Sequence, residues 1–184
     1  MERTSAETKQ RLVEAATAEF AAHGIAGART GRIARSAGVN EALLFRYFGN
    51  KQELFELVYD RLVKQAVENV VLDAGDLPGY AGALFDFYDR HAEVLRLSIW
   101  ARLERPDGAV SLAVQSSTEA KVRAIREAQS AGKVSSRLQP AELLAVIVQI
   151  SLAGTAASPE LSADFDREQR RRSIVLAVAA IAAP

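Results

Sequence analysis

Apolar residues recur along this 184-residue chain with the spacing of α-helices almost from end to end. In residues 7–23, Leu12, Ala16 and Phe20 are four positions apart and share one face of a helix, which Gly24 is suited to end. Similar stripes predict further helices at residues 30–37, 41–48, 51–72, 80–90, 91–104, 110–131, 140–157 and 165–182. Because no segment alternates as a β-strand does, we predict an all-α fold of about nine helices.

Two of the predicted helices are short and lie close together in the chain. Only Gly38, Val39 and Asn40 separate residues 30–37 from residues 41–48. Glycine takes positive φ without steric cost, and asparagine is a strong N-cap for the helix that follows. Two short helices joined by a tight glycine-containing turn form a helix-turn-helix, whose second helix enters the DNA major groove. We therefore predict a three-helix DNA-binding domain at 1–50 and a larger helical domain at 51–184 that binds a ligand and dimerises.

The stretch from residue 33 to residue 54 also carries an ungapped pattern of particular residue types. It consists of Ile33, Ala34, Ala37, Gly38, Val39, Asn40, Leu44, Phe45, Tyr47, Phe48, Lys51 and Leu54. In this pattern the chain resembles the amino-terminal DNA-binding domain of the tetracycline-repressor (TetR) family. That family usually has tyrosine where this chain has Phe45, and the tyrosine hydroxyl commonly reaches a DNA phosphate. The resemblance implies one phosphate contact fewer, an effector enclosed by the second domain, and dimerisation through the last two helices.

We expect the second helix of the motif to contact the bases, because its first turn reads base edges in helix-turn-helix proteins. Asn40 can pair with adenine or bind phosphate, and Glu41 can accept from a cytosine amine or can merely cap the helix. Ala42 and Leu43 offer apolar contact, for instance to a thymine methyl group. With the residues placed for phosphate contact, the set predicted to bind DNA is Thr30, Arg32, Asn40, Glu41, Ala42, Leu43, Phe45, Arg46, Tyr47 and Lys51.

The net charge of the chain is zero, which by itself argues weakly against a nucleic-acid partner. The charge is unevenly distributed, because residues 1–51 hold eight Lys or Arg and five Glu, a net +3, and the remainder carries −3. A basic head on an acidic body is expected if only the head faces phosphate. The chain has no cysteine, and residues 1–10 are polar and unlike a signal peptide, which fits a cytoplasmic protein.

The residue types that enzymes need are scarce in this chain. His23 and His91 are its two histidines, and their spacing builds no metal site. The glycines form no phosphate-binding loop of the P-loop type, and we find no nucleophile elbow. We therefore predict that the protein is not an enzyme and needs neither a metal nor a cofactor.

The middle helices combine aromatic surface with isolated amides, which is typical of a small-molecule pocket. Each aromatic residue could equally be a core residue, and the family resemblance is the main reason to predict a pocket. No charge obviously belongs inside it, so we expect a neutral or apolar effector. The residues predicted to line the pocket are Phe85, Tyr88, Trp100, Gln115 and Gln149.

The last two helices differ from the others in having long uncharged runs. Residues 143–157 contain no charge and are apolar nearly all round, but fifteen residues fall short of the roughly 20 that a membrane span needs. One face is more simply buried against a second copy of the chain, although burial in the core is the alternative. Asp164 is a suitable N-cap for the final helix. The predicted dimer interface consists of Leu143, Ile147, Ile150, Gly154, Ile174 and Val178.

Together these features predict a dimeric transcription regulator of the bacterial type that binds a palindromic DNA operator. We expect a repressor that a small molecule releases, with the helix at 51–72 transmitting the change between the domains. Two alternatives stay open: a DNA-binding adaptor whose second domain holds another protein, and a helical interaction module without an effector. A closed apolar cavity would favour the regulator, and the absence of a cavity would favour a protein partner.

Overall fold

A computed structural model of the chain describes residues 2–105, 112–157 and 165–184. Within these ranges the protein has nine α-helices and no β-strand, which confirms the predicted all-α fold. None of the helices in this part of the chain combines the length and the apolarity that a membrane crossing requires. The helices are α1 Glu2–Gly27, α2 Thr30–Ser36, α3 Glu41–Phe48, α4 Lys51–Asn69, α5 Leu77–Arg90, α6 Ala92–Glu104, α7 Leu112–Ser130, α8 Pro140–Ser151 and α9 Arg167–Ala182.

Several helix ends differ from the predicted ones for local reasons. Helix α5 begins three residues earlier than expected, because the Asp76 side chain accepts from the Gly79 N–H at 2.8 Å and caps the first turn. Helix α8 was predicted to reach residue 157 but ends at Ser151, and Gly154 beyond it has φ 70°. The predicted cap Asp164 lies outside the described residues, and Asp166 caps α9 by accepting from the Gln169 N–H at 2.7 Å.

The chain forms two compact units. The head unit consists of the described residues of 1–63 and 93–109, and the body unit consists of those of 64–92 and 110–184. The head unit therefore contains α1, α2, α3, most of α4 and nearly all of α6, while α5, α7, α8 and α9 belong to the body unit. The chain passes from head to body within α4 and returns to the head at α6. The domain boundary predicted at residue 50 stays a prediction, since this division places most of α4 and α6 with the amino-terminal helices.

The core of the head unit is built mainly from α1 and α4. Phe20 and Phe55 are both fully buried, and their rings meet edge to face with centroids 5.2 Å apart. Leu54 and Val58 of α4 and Leu97 of α6 are also fully buried in this cluster. A three-helix motif of about 40 residues buries too little surface to be stable alone. The longer α4 and the returning α6 supply the missing apolar contacts.

The body unit is organised around α5, which packs against α8 and α9. Asp86 of α5 pairs with Arg167 at 2.5 Å and with Arg171 at 2.8 Å, so the first turns of α9 are tied to α5 by charge. The loop that joins α7 to α8 is fixed by the Gln129 amide, which donates to the carbonyls of Ser135 at 2.7 Å and Leu138 at 2.9 Å. These contacts hold α9 and the loop before α8 in place.

Candidate functional site

The turn between α2 and α3 has the geometry that its sequence predicts. Gly38 has φ 69°, in the left-handed region that glycine reaches without strain. Asn40 is extended, and its Oδ1 accepts from the Leu43 N–H at 2.8 Å, so it caps α3. At the other end, Gly49 has φ 73° and donates its N–H to the Phe45 carbonyl at 2.8 Å. Helix α3 is therefore a short, well-terminated helix of two turns.

The two faces of α3 have different environments. Leu44 is fully buried and Phe48 is nearly so, which anchors the helix on the head core. On the other face Ala42, Phe45 and Arg46 are exposed, and the Phe45 side chain keeps 42% of its surface accessible. A large apolar ring beside a cation on the outer face of a short helix is suited to a groove that offers both methyl groups and phosphates. Leu43, also predicted to contact bases, is partly buried.

The polar residues of the first turn of α3 are engaged with the protein itself. Because the Asn40 Oδ1 accepts a hydrogen bond from the α3 backbone, the NH₂ group of its amide is the part that can bind DNA. The Thr30 hydroxyl donates to the Glu41 carboxylate, which joins the start of α2 to the start of α3. Either group can contact DNA only by giving up or sharing this hydrogen bond.

Arg32, predicted to contact DNA, is held in an ion pair with Glu19 of α1. Its Nε donates to the Glu19 carboxylate at 2.8 Å, and its terminal nitrogen donates to the Gly27 carbonyl at 3.1 Å. Burial by itself would raise the pKa of Glu19, but hydrogen bonds from Arg32 and from the Arg29 N–H outweigh burial and lower it. The hydrogen bond to Glu19 likewise raises the pKa of Arg32. Arg32 therefore positions α2 on α1.

Lys51, at the start of α4, is also used within the head unit. Its ammonium group donates to the carbonyls of Ala26 at 3.3 Å and Ala28 at 3.2 Å. These carbonyls lie in the last turn of α1 and in its connection to α2. Lys51 thus fixes this connection and keeps at most one N–H for a phosphate.

Two cations lie beside Tyr47, a further residue of α3 that was predicted to contact DNA. The Tyr47 hydroxyl lies 3.2 Å from the Ser5 hydroxyl, within hydrogen-bond distance. The Lys9 ammonium lies 5.1 Å and the Arg46 guanidinium 5.6 Å from the centroid of the Tyr47 ring. The hydrogen bond with Ser5 lowers the pKa of Tyr47, and Arg46 and Lys9 lower it further. Two cations and two hydroxyl groups at one place form a suitable phosphate site.

Ser5 and Lys9 were not among the predicted site residues. Both lie on α1, more than 35 positions before Tyr47, and only the tertiary fold brings them to α3. The basic bias of residues 1–51 was the one signal that included Lys9. Helical periodicity could not show that this exposed lysine faces the second helix of the motif.

An open concavity of about 650 Å³ lies between α2, the start of α3 and Lys51. Four cationic side chains contribute to its wall, against the single carboxylate of Glu41, and the Phe45 ring forms another part. Its shape and charge suit a segment of phosphate backbone. The residues that line it are Ala28, Arg29, Thr30, Gly31, Arg32, Arg35, Glu41, Phe45 and Lys51.

The five predicted pocket residues are divided between the two units, and a common pocket for them stays a prediction. Trp100 belongs to the head unit, where a Cβ atom added to Gly24 would lie 2.8 Å from its indole ring. Phe85 is fully buried in the body unit, with the guanidinium groups of Arg167 and Arg170 each 5.7 Å from its ring centroid. Of the remaining three, Tyr88 is partly buried on α5, whereas Gln115 on α7 and Gln149 on α8 are exposed.

The residues predicted for the dimer interface are mostly part of the core of the single chain. Leu143, Ile147, Gly154, Ile174 and Val178 are buried within it, and Ile150 is partly buried. These residues pack α8 and α9 onto their own unit, so a partner could not reach them without rearrangement. The exposed apolar residues of the same two helices are Ala141, Ala145, Val146, Leu176, Ala177, Ala179 and Ala180.

Comparison with known families matches both parts of the chain. The family model described as bacterial regulatory proteins of the tetR family matches residues 12–58. The model described as the carboxy-terminal domain of tetracyclin-repressor-like proteins matches residues 76–180. The first match contains the whole helix-turn-helix, and the second contains α5, α6, α7, α8 and most of α9.

Individual relatives agree with these matches. HTH-type transcriptional repressor SCO4008 of Streptomyces coelicolor is 37% identical over 148 residues, which cover 78% of this chain and 76% of that protein. HTH-type transcriptional repressor NicS of Pseudomonas putida is 29% identical over 97 residues, 49% of this chain and 46% of that protein. The crystal structure of the transcriptional regulator SCO4942 from Streptomyces coelicolor superposes with a TM-score of 0.88 at 36% identity, covering 95% of this chain and 98% of that one.

Proposed function

This chain belongs to the TetR family of DNA-binding transcriptional regulators, and we propose that it is a dimeric repressor that leaves a palindromic operator when a small molecule binds its body unit. The family consists of transcription regulators, which are generally not enzymes. The observation that carries the DNA-binding part of the proposal is the exposed face of α3, where Phe45 and Arg46 stand beside the cations of the head unit.

In the proposed complex, α3 lies in the major groove with Ala42 and Phe45 against base edges. Their apolar side chains can contact thymine methyl groups, and the Asn40 amide can donate to a base or a phosphate. The cluster around Tyr47 and the basic concavity beside α2 take phosphates on either side of the groove. Phe45 lacks the hydroxyl that a tyrosine would offer, so its contribution is apolar.

The ion pairs and hydrogen bonds within the head unit preorganise this surface. Arg32 and Glu19 tie α2 to α1, and Lys51 ties the start of α4 to the connection between α1 and α2. Because these contacts exist before DNA binds, α3 loses little conformational freedom on binding. We therefore assign Arg32 and Lys51 a positioning role in addition to any phosphate contact.

The dimer in this proposal uses the outer faces of α8 and α9. Leu176 keeps 63% and Val146 37% of its surface accessible, and small exposed alanines flank both. A symmetric pair formed through this surface would use the same patch twice. The dimer must hold its two copies of α3 about 34–36 Å apart, because two half-sites lie one helical turn from each other.

We propose that helix α6 moves the DNA-binding surface when the effector binds, a role that the sequence did not suggest. The Trp100 ring packs at the break in α1, where Gly24 has φ 67° and ψ −174°. The Glu104 carboxylate accepts from the Ala26 N–H at 2.7 Å, just before the connection to α2. In our proposal an effector shifts α6, and α6 together with α4 moves this connection so that the two recognition helices no longer match the operator.

The test begins with selection of bound sequences from random duplex DNA, followed by affinity measurements on the selected site. Arg46→Ala should weaken binding to selected and unrelated DNA alike and lower the salt slope by about one unit. Phe45→Ala should weaken only the selected site, by roughly 1 kcal/mol from the apolar surface it no longer buries. Arg123→Ala is the matched control, because Arg123 is an exposed cation of α7 in the body unit.

Two results would contradict parts of the proposed function. If no sequence is enriched, or if Arg46→Ala binds DNA as tightly as Arg123→Ala does, the assignment of α3 as the recognition helix is wrong. If DNA binding is normal but no small molecule changes it, the release mechanism is wrong and a protein partner for the body unit becomes the better hypothesis.

A further inference from the structure

Helix α7 carries a lysine on its buried side. Ile125 and Ala128 of α7 are buried, and Lys121 lies one turn before Ile125 on the same face, with its own side chain partly buried. Its ammonium group lies 5.5 Å from the centroid of the Tyr80 ring on α5. Burial lowers the pKa of Lys121, and no described carboxylate offsets this effect with an ion pair. The charge therefore lacks an anionic partner within the part of the chain that the structure describes.

Tyr80 presents a second polar group in the same place. Only 4% of the residue is exposed, and since its hydroxyl is not among the enclosed polar atoms of the described residues that lack a partner, this group keeps contact with solvent at the edge of the buried ring. Burial raises the pKa of Tyr80, and interaction with Tyr88, two turns further along α5, raises it more. The hydroxyl is therefore a neutral donor at physiological pH. A hydroxyl that reaches solvent beside a buried ring can exchange a water molecule for an acceptor on a ligand.

The arrangement of the helices leaves these groups between two elements. In the described part of the body unit, α5 packs against α8 and α9, and α7 packs against α8, but α5 and α7 make no extended contact. The Lys121 and Tyr80 side chains reach toward each other across this separation. A cation over an aromatic face is itself favourable, but it uses the ring and leaves the phenol hydrogen available to water or to a ligand. An anion placed here would satisfy both donors.

We propose that the effector of this regulator is an organic monocarboxylate with an apolar body, and that Lys121 and Tyr80 bind its carboxylate. One ammonium and one phenol match a single negative charge better than a phosphate dianion, which arginine forks bind more effectively. The inference rests on the proposed function, because it names the ligand of the body unit. It replaces the neutral or apolar effector that the sequence led us to expect.

The experiment compares acids with their own primary amides, which have the same apolar body and no charge. The probes are the straight-chain acids from butanoate to dodecanoate, with benzoate and phenylacetate, and affinity for the full chain is measured by calorimetry. We expect at least one acid to bind at least tenfold more tightly than its amide. Lys121→Met should weaken that acid by about 10- to 100-fold, and Tyr80→Phe by about 3- to 10-fold, the usual range for a charged and a neutral hydrogen bond.

Two further variants separate binding from folding. Lys121→Arg keeps the charge and should retain the preference for the acid, while Lys133→Met removes an exposed lysine of the same unit and should bind as the unaltered chain does. The inference is overturned if no acid binds more tightly than its amide, or if Lys121→Met keeps the preference while thermal unfolding shows that it is folded.

The same samples test the proposed function separately, through the affinity for the selected DNA site. If an acid binds through Lys121 but leaves DNA affinity unchanged, the assigned ligand stands and the release mechanism is wrong. If the amides bind and release DNA as well as the acids do, the release mechanism stands and the carboxylate assignment is overturned.

Discussion

Gly24 offers the sharpest test of how α6 is joined to the amino-terminal helices. Its φ of 67° and ψ of −174° lie in a region that only glycine occupies readily. A Cβ atom added there would lie 2.8 Å and 2.9 Å from two carbons of the Trp100 ring, which is closer than real side chains pack. Gly24→Ala must therefore change the backbone, displace the indole ring, or do both.

The expected cost follows from these contacts. Holding alanine in this backbone region costs about 1–3 kcal/mol. Moving α6 away would also break the hydrogen bond between the Ala26 N–H and Glu104, worth about 1 kcal/mol at an exposed site. A total of about 2–4 kcal/mol corresponds to a fall in melting temperature of roughly 4–16 °C for a chain of this size. Affinity for operator DNA should fall as well, because the connection to α2 shifts.

Gly132→Ala is the matched control for Gly24→Ala. Gly132 has φ 68°, but a Cβ atom there would meet nothing within 4 Å, so that variant pays only the backbone cost. Trp100 is the single tryptophan of the chain, and its fluorescence should change in Gly24→Ala and stay constant in Gly132→Ala. If the two variants lose the same stability and neither alters the fluorescence, Trp100 does not pack at the break in α1, and the proposed route through α6 is refuted.

Three further predictions concern the dimer, the DNA surface and acid stability. Leu176→Asp should dissociate the dimer in sedimentation and leave the helical signal intact, because Leu176 is 63% exposed. Ile147→Asp should unfold the chain, because Ile147 is fully buried. If the two variants behave alike, the outer faces of α8 and α9 do not form the dimer interface. As the pH is raised, affinity for DNA should begin to fall before it reaches about 10, the ordinary pKa of tyrosine. The reason is that the lowered pKa of Tyr47 lets a phenolate form beside the phosphates. Tyr47→Phe should abolish this fall. Because the pKa of Glu19 is lower in the folded chain than its ordinary 4.5, its stabilising effect is present above that pH and is lost as the pH falls through the folded value. Glu19→Gln should remove this part of the acid sensitivity, and an unchanged unfolding profile between pH 5 and about pH 3 would show that the pair with Arg32 contributes nothing.

The features that could be predicted from the sequence are those that depend on neighbouring residues. The turn at Gly38 and the cap at Asn40 involve backbone groups only a few positions away, so residue type and spacing were enough. The positions of α2 and α3 followed for the same reason. Leu44 and Phe48 could be assigned to the core, because a short helix in this motif has one face that must be buried.

The partner of a side chain is a different question, and periodicity does not answer it. Leu143 and Ile147 were correctly seen as apolar residues to be buried, but the pattern could not distinguish the core of one chain from an interface between two. Trp100 and Phe85 were grouped by residue type, and the fold assigns them to different units. Arg32 was predicted to contact phosphate, and only the fold shows that Glu19 lies beside it.

For this protein, the sequence by itself determined the helices, the helix-turn-helix and the family, because each rests on local spacing that survives in any fold. Only the tertiary structure decided that α6 joins the head unit, that Ser5 and Lys9 meet Tyr47, and that a charged lysine lies beside Tyr80. These contacts join residues that are between 38 and 78 positions apart in the chain. Such pairs depend on how whole helices pack, which hydrophobic burial drives without regard to sequence distance.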